Sequence, residues 1–553
     1  MNSLETKDYV IFLIYFVMVA GYGWWIYKKK KSESSGTRDY FLAEGSLTWW
    51  AIGASLISSN ISAEQFVGMS GSGFKIGLAI ATYEWMAALT LIIVAVFFIP
   101  VYLKNKIYTM PQFLLQRYNG TVAMVMAVFW LLLYVVVNLT SILYLGAIAV
   151  SGVSGIDLNI AMIGLAVFAI FITLGGMKVI GYTSVVQVLF LILGGLATTY
   201  IALNQVAVHF GGSGILSGFK HMLVSAPDHF HMILPKTNPN YLDLPGLSVL
   251  IGGMWIVNLN YWGCNQYIVQ RALGADLKTA RTGILFAGFL KLLMPVLIVV
   301  PGIAAFVLFK EKSGAFASIS NPDNSYPVLL NLLPVGLKGL SFAALSAAVV
   351  ASLAGKVNSI ATIFTLDIYK NVINKEASEK KLVIIGKVTI IISMILGIVI
   401  APHLGMDKQG GFQYIQEYTG FVSPGIFAMF ILGFFWKKTT SNAALFATIG
   451  GFVFSVILKV LPSLMDLSFL YPVGFAVRSQ LSGIYEIPFL DRMGIVFVVC
   501  VVGMYLISLI ETRKGVKPAA LEIDTKMFKS KPSFIVGSVI IIGILAALYT
   551  IFW

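Results

Sequence analysis

The chain has 553 residues, of which 58% are hydrophobic and 11% are charged, and its formal net charge is +14. A soluble domain carries roughly 25% charged residues, so this composition excludes an ordinary soluble protein and predicts an all-α integral membrane protein. The positive charges lie in short segments between apolar runs, which argues against nucleic-acid binding and indicates a lipid bilayer as the surroundings of the chain.

About fourteen apolar segments follow one another along the chain, each long enough to cross a bilayer. The predicted spans are residues 8–27, 47–71, 78–101, 120–152, 158–175, 182–203, 245–271, 284–308, 337–369, 383–402, 418–436, 441–462, 491–511 and 534–552. The connections after odd-numbered spans hold about 24 Lys and Arg residues, and the others hold about ten, which is the positive-inside pattern. We therefore expect a multi-pass protein of the inner (plasma) membrane with both termini extracytoplasmic.

Polar residues interrupt the second and seventh spans. Span two carries Ser58, Ser59 and Asn60, followed by Glu64 and Gln65, and span seven carries Asn258, Asn260, Asn265 and Gln266. Unpaired polar groups are costly in hydrocarbon, so such runs are typical of helices that unwind around a cavity, although two packed helices with polar faces would show the same pattern. The two breaks open two five-span units of opposite orientation, which predicts an inverted repeat with a binding site near the bilayer midplane.

This pattern divides the chain into five parts. We predict a first helix with a basic cytoplasmic loop (1–45), a first repeat (46–203), an extracytoplasmic loop (204–244), a second repeat (245–436) and additional C-terminal helices (437–553). The two cysteines, Cys264 and Cys500, lie inside apolar spans and are expected to be packed thiols.

A few ionisable and amide side chains lie deep within the predicted spans, where such groups mark functional sites. They are Glu64, Glu84, Lys291 and Lys356, with the amides Asn60, Gln65, Asn258 and Gln416. Amides and carboxylates that can both donate and accept hydrogen bonds suit a neutral polyhydroxylated ligand, with aromatic rings as flat apolar faces. Composition alone leaves an amino-acid ligand open.

Several motifs resemble the sodium/solute symporter family over nearly the whole chain. They are "NISAEQFVGMSGSG" (60–73), "YEWM" (83–86), "NLNYWGCNQYIVQR" (258–271), "NSIATIFTLDIYK" (358–370) and "FQYIQEYTGFVSPG" (412–425). "AEQF" together with "QYIQEYTG" resembles the sugar-transporting branch, which includes sodium/glucose and sodium/galactose symporters. The resemblance implies about fourteen transmembrane helices with a leucine-transporter-like inverted five-helix repeat. It also implies sodium-coupled symport of galactose or glucose by alternating access, with sodium as the coupling ion and no other cofactor.

The resemblance also implies roles for particular residues. The implied sugar ligands are Gln65, Glu84, Asn258, Lys291 and Gln416, with Asn60 nearby, Tyr261 as a gate beneath the sugar, and Met69, Tyr83 and Phe412 as an outer lid. The implied sodium ligands are the carbonyls of Ser58, Ile61 and Ala348 and hydroxyls at positions 351 and 352.

Three positions depart from the family pattern. Ala351 and Ala87 stand where the family has a sodium-binding and a sugar-binding serine, and Ser184 stands where it has an aspartate on the sodium exit path. A lost hydrogen bond is worth about 0.5–1.5 kcal/mol, so the departures predict weaker sodium binding and a changed sugar affinity.

Lys356 lies four residues after Ser352, on the same helical face. Its ammonium is therefore a possible surrogate for the sodium ion, and it would repel a sodium ion nearby. Alternatively it faces an aqueous vestibule, or it is a proton-linked switch in a carrier that needs no sodium.

Other classes of function stay open at this stage. Nucleotide-binding loops and His-Glu-x-x-His motifs are absent from the sequence, so we predict that the protein is not an enzyme. A sugar-sensing channel and a symporter of another small organic solute are the remaining rivals. The sequence gives no prediction of oligomeric state.

Overall fold

Helices form nearly the whole structure, because an apolar chain in lipid must satisfy its backbone hydrogen bonds within itself. The structure is a computed structural model and describes residues 4–29, 48–107, 109–173, 177–273, 275–404, 410–480 and 482–553.

The first half of the chain contains α1 (Thr6–Lys29), α2 (Trp49–Asn60), α3 (Ser70–Ile76), α4 (Thr82–Ile93), α5 (Ile99–Lys104), α6 (Met110–Arg117), α7 (Gly120–Leu132), α8 (Thr140–Ser154), α9 (Leu158–Thr173), α10 (Met177–His209), α11 (Ile215–Ser225), α12 (Leu247–Ile251), α13 (Gly253–Cys264) and α14 (Gln266–Leu273). The second half contains α15 (Leu277–Lys310), α16 (Ser325–Leu330), α17 (Leu337–Thr362), α18 (Glu379–Ile400), α19 (Gly411–Gly420), α20 (Ser423–Phe435), α21 (Ser441–Leu445), α22 (Gly451–Leu464), α23 (Phe489–Arg513) and α24 (Pro532–Ile551).

Shorter elements join or extend these helices. The π-helical segments are Glu64–Met69, Val94–Phe98, Leu133–Leu139, Ile363–Ile373 and Phe446–Gly450. The 3₁₀ segments are Leu78–Ala81, Pro227–Phe230, Gly314–Ser318, Pro322–Asn324, Ala401–His403, Ser468–Leu470 and Thr525–Phe528. Strands β1 (Val477–Arg478) and β2 (Tyr485–Glu486) pair as an antiparallel hairpin.

The predicted multi-pass helical architecture is confirmed. Within the described ranges, nine helices are long and apolar enough to cross a membrane, or ten if α19 and α20 count as one bent span. α9 is apolar but has only 16 residues, and the second and seventh predicted spans are interrupted. Both cysteines are buried and free, as predicted.

Both predicted interruptions are present. After α2, Ile61 is extended (φ −76°, ψ 115°), and the chain resumes as the π-helix Glu64–Met69 followed by α3. After α13, Asn265 is extended (φ −96°, ψ 119°), and α14 follows.

The eleventh span differs from its predicted range of 418–436. It is a pair of helices, α19 and α20, bent by 51°. The first helix begins at Gly411, earlier than hydropathy indicates, because Gln413, Gln416 and Glu417 make it polar. The second begins with Pro424 in its first turn, where proline fits the start of a helix.

The segment 204–244 packs across one end of the helices. We call this end of the molecule the 204–244 face. His229 Nε2 lies 3.1 Å from the carbonyl oxygen of Phe74, a residue in the last turn of α3. The Met232 N–H donates to the carbonyl of Phe552 at 2.7 Å, which fixes the C-terminal end of α24 at the same face.

α2 and α15 cross at two glycines, and this crossing brings the break in span two close to the centre of the molecule. A β-carbon on Gly53 would lie 2.7 Å from the Gly283 carbonyl, and one on Gly283 would lie 2.8 Å from the Trp49 carbonyl. Neither backbone atom can move aside as a side chain can, so the crossing requires glycine.

We predict that Gly283→Ala lowers the stability of the protein by about 1–3 kcal/mol, the usual cost of overpacking. The matched control is Gly164→Ala on α9, where an added β-carbon meets no atom within 4 Å. Thermal unfolding in detergent measures both variants. Equal melting temperatures for the two variants would show that the helix crossing tolerates a larger separation.

Candidate functional site

A cavity lies where the two interrupted helices meet α4, α15, α17 and α19. Its free volume is about 1050 Å³, counting the part open to solvent. The lining includes Asn60, Glu64, Gln65, Tyr83, Glu84, Ala87, Asn138, Asn258, Asn260, Tyr261, Trp262, Cys264, Lys291, Ser352, Lys356, Phe412 and Gln416. It therefore brings together the predicted sugar-site residues, two of the three lid residues, Ser352 and Lys356.

A buried ion pair forms one wall of the cavity. Lys291 Nζ lies 2.5 Å from Glu84 Oε2, and the side chains are 1% and 5% exposed. The same ammonium donates to Asn60 Oδ1 and lies 5.1 Å from the centre of the Trp262 ring. The network ties α4, α15, α2 and α13 together, and it leaves neither charge without a partner.

Asn60 continues this network toward Tyr261, because its Nδ2 donates to the Tyr261 hydroxyl at 3.2 Å. The predicted gate residue thus contacts the end of α2 directly. One asparagine therefore connects the ion pair to Tyr261.

Gln65 stabilises the break in span two. Its Oε1 accepts from the Ser62 backbone N–H at 3.0 Å and from the Ser62 hydroxyl at 3.2 Å. The Ser62 N–H therefore donates to a side chain and leaves the Ser58 carbonyl, one turn earlier, without this helical donor. Gln65 also lines the cavity.

Lys356 lies in a second polar cluster on the same cavity. Its ammonium donates to Asn138 Oδ1 at 3.2 Å and lies 4.8 Å from the centre of the Tyr134 ring. It also interacts electrostatically with Glu64, whose Oε1 accepts from the Ser141 hydroxyl at 2.8 Å. The side chain is buried, with 5% of the residue exposed.

The three predicted lid residues are buried on the side of the 204–244 face. The rings of Tyr83 and Phe412 meet edge to face with centroids 5.0 Å apart. Met69 is buried and is not among the residues that line the cavity. The close ring contact covers the cavity on this side.

The residues predicted to bind sodium lie at the end of α2 and on α17. Ile61 and Ala348 are buried, Ser58 and Ala351 are partly buried, and Ser352 lines the cavity. Their role as ligands stays a prediction. The side chain of Ser184 lies outside the described part of the structure.

Sequence reasoning missed the partners of Lys356 and Glu64 in span four. Asn138, Tyr134 and Ser141 lie in or next to the π-helix Leu133–Leu139. One signal was present, since Asn138 is an amide within an otherwise apolar run, "LLLYVVVNL" (131–139).

A helical membrane fold whose interrupted helices meet at a buried polar cavity defines a solute carrier. A sequence model of the sodium:solute symporter family matches residues 40–451. The chain belongs to the sodium:solute symporter family.

Two relatives extend this result over most of the chain. The chain is 46% identical to the sodium/glucose cotransporter of Vibrio parahaemolyticus, with 100% of this chain and 99% of the relative covered. It is 33% identical to the human sodium/myo-inositol cotransporter 2, with 83% of this chain and 70% of the relative covered.

Two solved structures share the fold. A Na⁺-coupled sialic acid symporter in a substrate-bound outward-open state has a TM-score of 0.72 at 20% identity, covering 94% of this chain and 100% of that chain. A nucleobase-cation-symport-1 family transporter has a TM-score of 0.51 at 11% identity, covering 85% and 95%.

We predict that Lys291→Met lowers stability by about 3–5 kcal/mol, because it leaves Glu84 as an unpaired buried carboxylate. The double variant Lys291→Met/Glu84→Gln should recover most of the loss, since it removes both charges. Thermal unfolding of the single and double variants in detergent measures the coupling.

Lys459→Met is the matched control for this cycle. Lys459 pairs with Glu417 at 2.6 Å but is 38% exposed, and Glu417 keeps a second partner in Arg492 at 2.6 Å. We expect a loss below about 1 kcal/mol there. A loss at Lys291 no larger than at Lys459 would contradict the structural importance of the Lys291–Glu84 pair.

Proposed function

We propose that the protein is a secondary active sugar transporter that couples the entry of galactose or glucose to sodium by alternating access. The observation that supports it most is the charge balance of the cavity, whose lining holds two carboxylates (Glu64, Glu84) and two ammonium groups (Lys291, Lys356). A cavity balanced in this way needs no charge from its ligand. The Vibrio relative is named a sodium/glucose cotransporter, which is consistent with this proposal.

The sugar is held by groups that can both donate and accept hydrogen bonds. Gln65, Asn258 and Gln416 offer amides, and the Glu84–Lys291 pair offers an acceptor and a donor with opposite charges. Tyr261 and Trp262 offer aromatic faces for the C–H side of a pyranose ring. Ala87 faces the same cavity and offers no hydroxyl, so one hydrogen bond of the family pattern is missing.

Sodium is a substrate that binds where span two is broken. The Ser58 carbonyl, freed because Ser62 N–H donates to Gln65, is a suitable oxygen ligand, and Ile61 and Ala348 supply further carbonyls. The Ser352 hydroxyl completes the set, whereas Ala351 offers none. Because the ion and Gln65 share one break in the helix, ion binding and sugar binding stabilise the same local conformation.

The finer topology is also part of this proposal. Fourteen transmembrane helices are reached when α1, α9 and the two interrupted spans are counted with the ten that pass by length and composition. The units 46–203 and 245–436 form the inverted repeat, because each begins with an interrupted span. The distribution of Lys and Arg supports an orientation in which both termini and the 204–244 face lie outside the inner (plasma) membrane.

A second candidate function follows from the position of Lys356. Its buried ammonium faces the cavity that Ser352 also lines, so it supports a carrier in which Lys356 replaces sodium and sugar moves alone or with a proton. The two candidates differ in which gradient drives uptake.

We expect labelled galactose to accumulate in proteoliposomes under an inward sodium gradient, and to accumulate neither under an inward potassium gradient nor under a proton gradient alone. Unlabelled glucose should compete, whereas amino acids and myo-inositol should not. Sodium-independent accumulation would favour the Lys356 candidate. Efflux of labelled sugar without any accumulation would exclude coupled transport altogether.

We expect Lys356→Met with Ala351→Ser to raise the apparent sodium affinity, because a cation is removed and a hydroxyl is added. At an effective dielectric constant near 20, two unit charges 4 Å apart repel by about 4 kcal/mol, so the change should reach tenfold or more. The sodium dependence of galactose uptake measures it. Unchanged sodium dependence would assign Lys356 to the aqueous vestibule.

A further inference from the structure

Asp323 lies in the connection between α15 and α17 on the 204–244 face. Its side chain is fully buried, with 0% exposure. Asn321 Oδ1 accepts from the Asp323 N–H at 3.0 Å and fixes the short 3₁₀ segment that carries it. The carboxylate oxygen Oδ2 accepts from the Gly411 N–H at 2.8 Å, at the first residue of α19. The side chain therefore joins this connection to the start of the bent eleventh span.

The other face of Asp323 packs against the outer part of the second span. A β-carbon on Gly71 of α3 would lie 2.3 Å from Asp323 Oδ1 and 2.9 Å from its Cα, so only glycine fits. Oδ1 itself has no hydrogen-bond partner among the residues that the structure describes. Asp323 is thus enclosed between α3 and α19, the two helices that close over the cavity.

The contact leads directly to the lid. Gly411 is followed by Phe412, whose ring meets Tyr83 with centroids 5.0 Å apart. A β-carbon on Gly68 would lie 3.1 Å from the Phe412 backbone nitrogen, so the second span and α19 are in close contact here as well. Separating α19 from α3 would withdraw Phe412 from the cavity and expose Asp323 to water.

We propose that Asp323 is a positioning residue of the outer gate: by accepting the Gly411 N–H between α3 and α19, it holds Phe412 over the cavity, and sugar enters only when this contact is released. This inference rests on the proposed sugar transport, since it assigns the cavity a gate. Asp323 touches neither the cavity nor the proposed sodium ligands, and it acts through Gly411 and Phe412.

The charge of Asp323 depends on the state of the gate. Burial raises its pKa to about 7, against the lowering effects of the Gly411 N–H and Lys75. The ionisable side chains on the elements that pack against it are Lys75, Glu64, Tyr144, Tyr326, Tyr414, Glu417 and Tyr418. Of these, Lys75 acts on Asp323, and it is itself paired with Asp243 at 3.4 Å.

The pKa of Asp323 differs between the closed and the open gate, and this difference sets how gate closure depends on pH. In the open gate Asp323 meets water and titrates near its ordinary value, about 3.9, so the closed gate binds the proton more tightly. Closure is therefore favoured in acid and loses stability as the pH rises from about 4 to about 7. Between pH 6 and pH 8 the ratio of open to closed gates should rise about tenfold.

The test uses Cys264, which lines the cavity, as a reporter that needs no sugar. In a Cys500→Ala background, a membrane-impermeant thiol reagent is added from the outside at pH 6 and pH 8. Asp323→Ala loses the acceptor and should label at least severalfold faster than the parent at pH 6. Asp323→Asn keeps a neutral hydrogen-bond acceptor, so Cys264 should be labelled slowly in this variant. Its labelling rate should vary with pH only through the ionisation of the Cys264 thiol.

Dividing the parent's labelling rates by those of Asp323→Asn removes the pH dependence of the thiol, and about a tenfold rise should remain. Asp466→Asn, a fully exposed carboxylate on another connection, should match the parent. In uptake assays Asp323→Asn should abolish the external pH dependence of the sugar KM while the parent keeps it.

The proposal is overturned if Asp323→Asn retains the parent's pH dependence, or if Asp323→Ala labels no faster than the parent. Because Asp323→Asn preserves the hydrogen bond, a folding failure of Asp323→Ala leaves the pH comparison decisive. Labelling that follows the expected pattern in a protein that moves no galactose would sustain the gate and refute the sugar proposal.

Discussion

The buried pair of Lys291 and Glu84 is the interaction on which the cavity depends. An isolated charge in the middle of a membrane protein would cost several kcal/mol, and each of these two groups supplies the partner that the other needs. The pair also sets positions, since α15 carries Lys291, α4 carries Glu84, and Asn60 at the end of α2 bonds to the same ammonium. The cavity wall and the end of the broken helix are therefore stabilised together.

Breaking a transmembrane helix frees backbone groups, and this chain places their replacements in the next turn. The Gln65 side chain accepts the Ser62 N–H at the break, so the interruption frees the Ser58 carbonyl from its helical donor and leaves no orphaned donor at Ser62. The glycines Gly53 and Gly283 allow α2 to approach α15 closely enough for Asn60 to reach Lys291. Local sequence, helix packing and the polar site are thus consequences of one arrangement.

Much of this could be predicted from the sequence, because polar residues in apolar spans are costly and therefore informative. The two interruptions and the four deep charges follow from that argument alone. The partners of Lys356 could not be predicted, since Asn138 and Tyr134 reach it only through the packing of span four on α17. The start of α19 was missed because Gln413, Gln416 and Glu417 lower its hydropathy, and Asp323 lies in a connection that carries no periodic signal.

Under the proposed sodium coupling, the second charged cluster, around Lys356, adds to the residues that would determine ion preference in this chain. A cavity that already balances two carboxylates with two ammonium groups becomes net positive when sodium enters. Glu64 is the carboxylate that interacts with Lys356 and lies three residues after Ile61 at the break, so its charge offsets the repulsion between the ammonium and an incoming ion. Asn138 and Tyr134 contribute as well, because they hold the ammonium on the side of span four. Under the proposed sodium coupling, ion preference depends on how firmly span four retains Lys356, in addition to the oxygen atoms that would coordinate the ion.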